Sequence, residues 1–233
     1  MKEELLRNVE AARAKELEVL APHVDDSEPA EPGTWTVKDT VAHLAAWREY
    51  AVAEIEAGLA GGESPELESD EETQNAKLYA EMRGLSAKDV LHRAARSWAA
   101  LADGIQGCSE QQLVGPRPGR PGMQLWHAVR GNGYAHLGEH LGYWYEANGD
   151  LRGAEDAAIW ARDLSGAIPN DSERGNGEYD LACFYAKRGR AAEALGHLER
   201  AVSLNPELRD WAAKDADLDP IRSQPEVARL LAG

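Results

Sequence analysis

The sequence predicts an all-α protein, an antiparallel four-helix bundle over residues 1–148 followed by a short helical-hairpin extension over 149–233. Three observations carry that reading. Ala, Leu, Glu and Arg dominate while Ile and Phe are scarce, which favours helix over sheet. Apolar residues recur at three- and four-residue spacing, and no strand-like alternation persists. Polar and Pro/Gly-bearing stretches cut the first 148 residues into four long helices, for which a bundle is the economical packing.

The elements follow in order. Leu5, Leu6, Val9, Ala12, Leu17 and Leu20 define a first helix, ended by Pro22 and the loop "DDSEPAEPG". The second helix starts in "TWTVKDTVAHLAAWREY", with Thr36 as N-cap and Asp39 as the acid of a capping box, and stops at Gly61-Gly62. "ESPELESDEE" is a solvated acidic stretch, and "ETQNAKLYAEMRGL" forms a short helix. Ser86 caps the third long helix, which lines up Val90, Leu91, Ala94, Trp98 and Leu101. "VGPRPGRPG" cannot be helical, and the fourth long helix runs from about Met123 through Tyr145, continuing to about Ala147 with Gly149 ending it.

The remaining residues have a different texture. Leu181, Ala182, Tyr185, Gly189, Ala194, Leu198, Ala201 and Pro206 fall at the spacing of a tetratricopeptide (TPR) repeat, a helix hairpin whose small residues allow close approach. Leu141, Gly142, Tyr145, Gly149, Ala154, Ala158 and Ala161 repeat the pattern forty residues earlier. A degenerate repeat over 141–170 and a clear one over 178–206 result, with closing helices over 207–233. The usual period is about 34 residues, so the surplus is expected to lie in a loop, "IPNDSERGNG". Gly142 is expected where another helix crosses closely.

Composition excludes several functions. A net charge of −16 disfavours nucleic acid and anionic membranes. The two cysteines, Cys108 and Cys183, make neither a disulfide framework nor a redox motif, and read as buried reduced thiols. The charged N-terminus lacks a signal-peptide core, and no apolar run is long enough to span a membrane. The expectation is a soluble, cytoplasmic protein.

The chemistry rests on histidines. His136 and His140 stand four residues apart, so they share a helix face and can converge on one ion. A third ligand must come from elsewhere. His43, on the apolar face of Val41, Leu44 and Trp47, is the best placed; a core histidine with a hydrogen-bonding partner is the alternative reading. His92 and His127 are further candidates, while His23 and His197 read as solvent-facing. "HLGEH" also matches an inverted zinc-peptidase motif, but only the repeats follow it, so a peptidase is excluded on context.

"WTVKDTVAHLAAWREY" and, about ninety residues on, "NGYAHLGEHLGYW" together resemble the DinB-like (YfiT-like) four-helix bundle superfamily, nearest its ClbS/DfsB-like branch. The resemblance covers roughly residues 1–148. It implies an up-down-down-up bundle and a divalent metal (zinc, nickel or iron) held by one ligand from the second helix and two from the fourth. By position these are His43, His136 and His140. It further implies an enzyme of the detoxification type acting on a small molecule, either a transferase with a low-molecular-weight thiol cosubstrate or a ClbS-like hydrolase.

Around such an ion, Asp39 and Glu139 are candidate acceptors for an imidazole N–H. Tyr50, Glu139 and Tyr143 are the catalytic candidates, and Arg117 and Arg120 could receive an anionic substrate. The competing reading is a helical scaffold whose TPR-like tail meets a partner protein or a second copy.

Overall fold

The computed structural model describes residues 1–31 and 34–232; Pro32 and Gly33, which close the first expected loop, lie outside the described residues. Among the described residues the named elements are all helical, and the only β pairing is one isolated bridge between Pro116 and Gln124. The chain divides into two compact units, Met1–Trp144 and Tyr145–Gly233.

In the first unit α1 (Lys2–Val19) buries Leu5, Val9 and Ala12, but Leu17 is 54% exposed and Glu16 is buried in its stead. The reason is a partner. Arg48 reaches Glu16 through both terminal nitrogens, at 2.8 and 3.2 Å, and Trp98 donates its indole N–H to the same carboxylate at 2.9 Å. Helical spacing alone does not reveal a buried acid whose cation lies 32 residues away.

The second helix, α2 (Val37–Ala60), begins at the expected capping box: Thr36 Oγ1 accepts from Asp39 N and Asp39 Oδ2 accepts from Thr36 N. It stops at Gly61, whose φ of 66° suits glycine. A shorter helix, α3 (Glu71–Met82), follows, then α4 (Ala87–Gly107), capped by Ser86, and the single turn α5 (Glu110–Leu113). The last long segment starts at His127, later than Met123, because residues 121–126 are spent on turns and the bridge. It consists of α6 (His127–Val129), a π-helical turn over Arg130–Tyr134, and α7 (Ala135–Ala147).

Residue pairs fix the helix directions. Arg48 meets Ser97, Glu49 meets Arg93, and Ile55 lies against Gly104, so α2 and α4 run parallel. Lys2 reaches the carbonyls of Gln106 and Cys108 while Glu16 meets Trp98, so α1 is antiparallel to α4. His43 faces His136 while Gly58 abuts Leu125, so α2 is antiparallel to the last segment. The order is up-down-down-up, and the parallel pair requires the long return through α3.

In the second unit, α8 (Leu151–Ala167), α9 (Asp171–Lys187) and α10 (Ala191–Leu204) are followed by α11 (Leu208–Ala212), α12 (Asp219–Arg222) and α13 (Pro225–Ala232). Its core joins Leu181, Ala182, Tyr185, Leu198 and Ala201 with Leu218, Ile221 and Val227. The expected loop over 168–177 is largely helix, for Asn170 caps α9 through Glu173 N. Its glycines are there for close approach: a Cβ on Gly175 would sit 2.8 Å from Asn205 Cβ, and one on Gly177 2.7 Å from Ser165 Cβ. At Gly142, by comparison, a Cβ would meet nothing within 4 Å.

Candidate metal centre

Three imidazoles converge in the first unit. His43 comes from the second turn of α2, seven residues past the Thr36 cap, and is buried. His136 and His140 come from successive turns at the start of α7. His136 Nε2 lies 3.1 Å from His43 Nε2 and 3.1 Å from His140 Nε2, and one ligand atom from each ring falls within 4.8 Å of the others. His43 is buried, and His136 and His140 are partly accessible.

Burial drives all three toward the neutral form. His43 is pushed down to about 3, by desolvation first and His140 second. His136 is lowered by desolvation, then by His140, His43 and Arg48. His140 is lowered by desolvation, with Glu139 opposing. Neutral imidazoles present lone pairs, the state a metal requires.

The residues fit a shared ion better than a hydrogen-bonded cluster. A ring nitrogen has one in-plane lobe, either a proton or a lone pair. His136 Nε2 therefore cannot make good hydrogen bonds to both neighbours at 3.1 Å. Two nitrogens bound to one ion at about 2.1 Å stand roughly 3.0–3.4 Å apart, so the spacing is that of common ligands. Meanwhile the buried Nδ1 atoms of His43 and His136 have no hydrogen-bond partner. The acceptors expected from the sequence are engaged elsewhere: Asp39 with Thr36, and Glu139 Oε1 with the Tyr143 hydroxyl at 2.5 Å.

The other candidates separate cleanly. Tyr143 lies 5.9 Å from His140, edge-on, and its Glu139 partner is exposed beside it. Tyr50 instead donates its hydroxyl to Pro65 O at 3.3 Å. Arg117 is not available to an anion: its guanidinium grips the wholly buried Glu54 at 2.5 and 2.9 Å and pins the Pro/Gly loop to α2. Arg120 is exposed. His92 is exposed, and His127 Nδ1 accepts from Gln124 N, so neither joins the cluster. His23 is exposed as expected, but His197 is not: it is held against Glu178 in the second unit.

Sequence reasoning placed Trp47 only as a core neighbour of His43 and did not single out Trp35 or Tyr79. Trp47 lies 6.3 Å from His43 and 6.4 Å from His136, and donates to Asn75 Oδ1 at 3.1 Å. Trp35 lies 4.9 Å from His43 and stacks on Tyr79. Trp35, just before the Thr36 cap, was findable; Tyr79, on a different helix, left no signal. A cavity of about 560 Å³ in the second unit is lined by Arg162, Asp163, Arg174 and Glu178, but these arginines already pair with Glu178, Asp163 and Asp171.

A family profile described as the DinB superfamily matches residues 4–144. No curated protein and no solved structure matches the chain.

Proposed function

Because the chain belongs to the DinB superfamily, we propose that its first unit is a divalent-metal-dependent enzyme acting on a small molecule, with His43, His136 and His140 holding the ion. The observation that carries this reading is the placement of His136 Nε2 at 3.1 Å from both other Nε2 atoms. Three neutral nitrogen ligands leave coordination positions open, the pattern of a catalytic rather than a structural site. Zinc, nickel and ferrous iron all suit imidazole.

An ion held there supplies Lewis acidity, polarising a reacting group or activating a thiol or water. The chain's own contribution is orientation and proton handling. Burial keeps the three imidazoles deprotonated, Trp47 walls the site, and the Tyr143 hydroxyl, donating to Glu139, holds a proton beside His140. That placement suits a thiol-dependent transferase or a ClbS-like hydrolase, reactions that each need one proton moved near the ion.

Metal analysis of protein purified without a His tag tests this. About one equivalent of a first-row metal is expected in the native chain and less than a tenth in His43→Ala, with the helical signal unchanged. A metal-free native chain that takes up no added zinc, nickel or ferrous iron would sink the reading.

A second reading, a partner-binding role for the second unit, is favoured by one observation. The positions assigned to a TPR-like hairpin, Leu181, Ala182, Tyr185, Ala194, Leu198 and Ala201, are all buried, while Trp211 and Leu151 are left exposed. Such a surface would serve a protein partner or a second copy. Sedimentation of the native chain and of Trp211→Asp tests it: a concentration-dependent dimer lost in the variant supports the second copy.

A further inference from the structure

Two half-exposed aromatic rings lie against two different imidazoles of the cluster. Trp35, directly before the Thr36 cap, is 37% exposed and stands 4.9 Å from His43 at 62°. It is held there from α3, where Tyr79 stacks on it at 5.7 Å with planes 6° apart. Tyr143 is 48% exposed and meets His140 edge-on at 88°. Both rings are open to water, and they adjoin imidazoles whose ligand atoms lie within 4.8 Å of one another.

Among the groups whose charge is felt at the three rings, the only acid is Glu139. Glu139 is exposed beside His140 and its field is felt there. The cation felt at His136 is Arg48, which is wholly buried and doubly bonded to Glu16. Arg117, the basic side chain best placed by sequence to draw an anion, is spent on Glu54. Small anions therefore meet repulsion from Glu139 with no available cation among these, whereas flat neutral or cationic groups meet the negative faces and polarisable edges of indole and phenol.

We propose that Trp35, set in place by its stack on Tyr79, is the specificity-determining residue of the site. It selects molecules whose metal-reaching donor atom carries a flat apolar or cationic ring, over small anions. This rests on the metal-dependent reading above, and the test separates the two.

The protein is loaded with Co(II), whose visible spectrum reports ligand entry, and is titrated with imidazole, 4-phenylimidazole and acetate. In the native chain 4-phenylimidazole is expected to bind about tenfold tighter than imidazole, the ratio a single aromatic contact supplies, with acetate weakest. Trp35→Ala should bring the two imidazoles within about twofold of each other without changing Co(II) affinity, and Trp35→Phe should retain most of the preference. Tyr79→Ala, which removes the stack, should lower the preference by about threefold and serves if Trp35→Ala loses helix content. An unaltered preference in Trp35→Ala, no preference in the native chain, or tighter binding of acetate overturns the proposal while leaving the metal site standing. Failure of the native chain to bind Co(II) removes both.

Discussion

The imidazole of His197, in the second unit, has Nδ1 at 2.7 Å from Glu178 Oε2 and its ring stacked on Tyr185. That of His136, in the first, has Nε2 against two other imidazoles and Nδ1 against no partner. Both rings are withdrawn from water and both are lowered in pKa by desolvation, but Glu178 opposes the shift at His197 while no carboxylate opposes it at His136. A histidine kept for packing is given a carboxylate, and Glu178 is in turn held by Arg162 and Arg200. The three gathered histidines are instead all driven toward the neutral form by burial, with only the exposed Glu139 opposing at His140. Unpaired buried Nδ1 groups cost about 1–3 kcal/mol each, a penalty that makes sense where binding at Nε2 offsets it.

The contrast can be broken most directly by removing one ring from each setting. His136→Ala should weaken metal binding by at least about a hundredfold, since two imidazoles are too few for a tight site. His197→Ala should leave metal content unchanged. Equal loss in both, measured by competition with a chromophoric chelator, would show that the two environments do not differ in kind.

The charges beside the cluster sharpen the same point, because there the acid does have its partner. Arg48→Met leaves Glu16 buried at 3% exposure without its cation, and should cost about 3–5 kcal/mol in urea unfolding. The double variant Arg48→Met with Glu16→Leu should recover much of that loss, as an apolar replacement of a buried pair often does. No recovery would point to the Ser97 and Trp98 contacts as the dominant ones.

Acidification should distinguish the two regions next. The unfolded chain protonates histidine near pH 6.5, whereas His43 in the folded state resists to about 3. Between those values the unfolded state binds more protons, so stability of the metal-free protein is greatest above pH 6.5 and falls as pH drops toward 3. Urea midpoints of the chelator-treated protein at pH 7.5, 6 and 5 should decline in that order. His43→Phe should flatten the decline, and an unchanged slope would assign it to carboxylates. The smallest effect expected is on the second unit: His197→Ala should lower its stability by about 1–2 kcal/mol through the lost bond to Glu178, read as a shift in thermal midpoint.

What the sequence made legible was what local rules govern. The Thr36 capping box, the Gly61 stop and the i, i+4 pairing of His136 with His140 each follow from residues a turn or less apart. His43 was singled out by its place on an apolar helix face, and the resemblance then joined it to the pair 93 residues away, which spacing cannot do. The failures are non-local in the same sense. Arg117 read as a loop cation that could receive an anion because Glu54 is 63 residues away, and nothing in the helical spacing singled out Glu16. Gly175 and Gly177 fell in the stretch read as a loop because their purpose, room for Asn205 just past α10 and for Ser165 on α8, is not local. No sequence signal marks the π turn at Arg130–Tyr134.

That turn has a consequence best put as a residue count. At about 100° per residue, an uninterrupted α-helix would carry Leu137 roughly 80° round from Val129, yet both are fully buried. The wider i→i+5 turn rotates less per residue and takes up that excess. The segment therefore works as a slipped stitch, holding one surplus residue between an entry stretch in phase with Trp126 and Val129 and an exit stretch in phase with His136 and His140. Deleting Gly131 would put Leu137 seven residues past Val129, within about 20° of the same face, so a regular helix would keep the entry stripe and both ligands turned to the core without the wide turn.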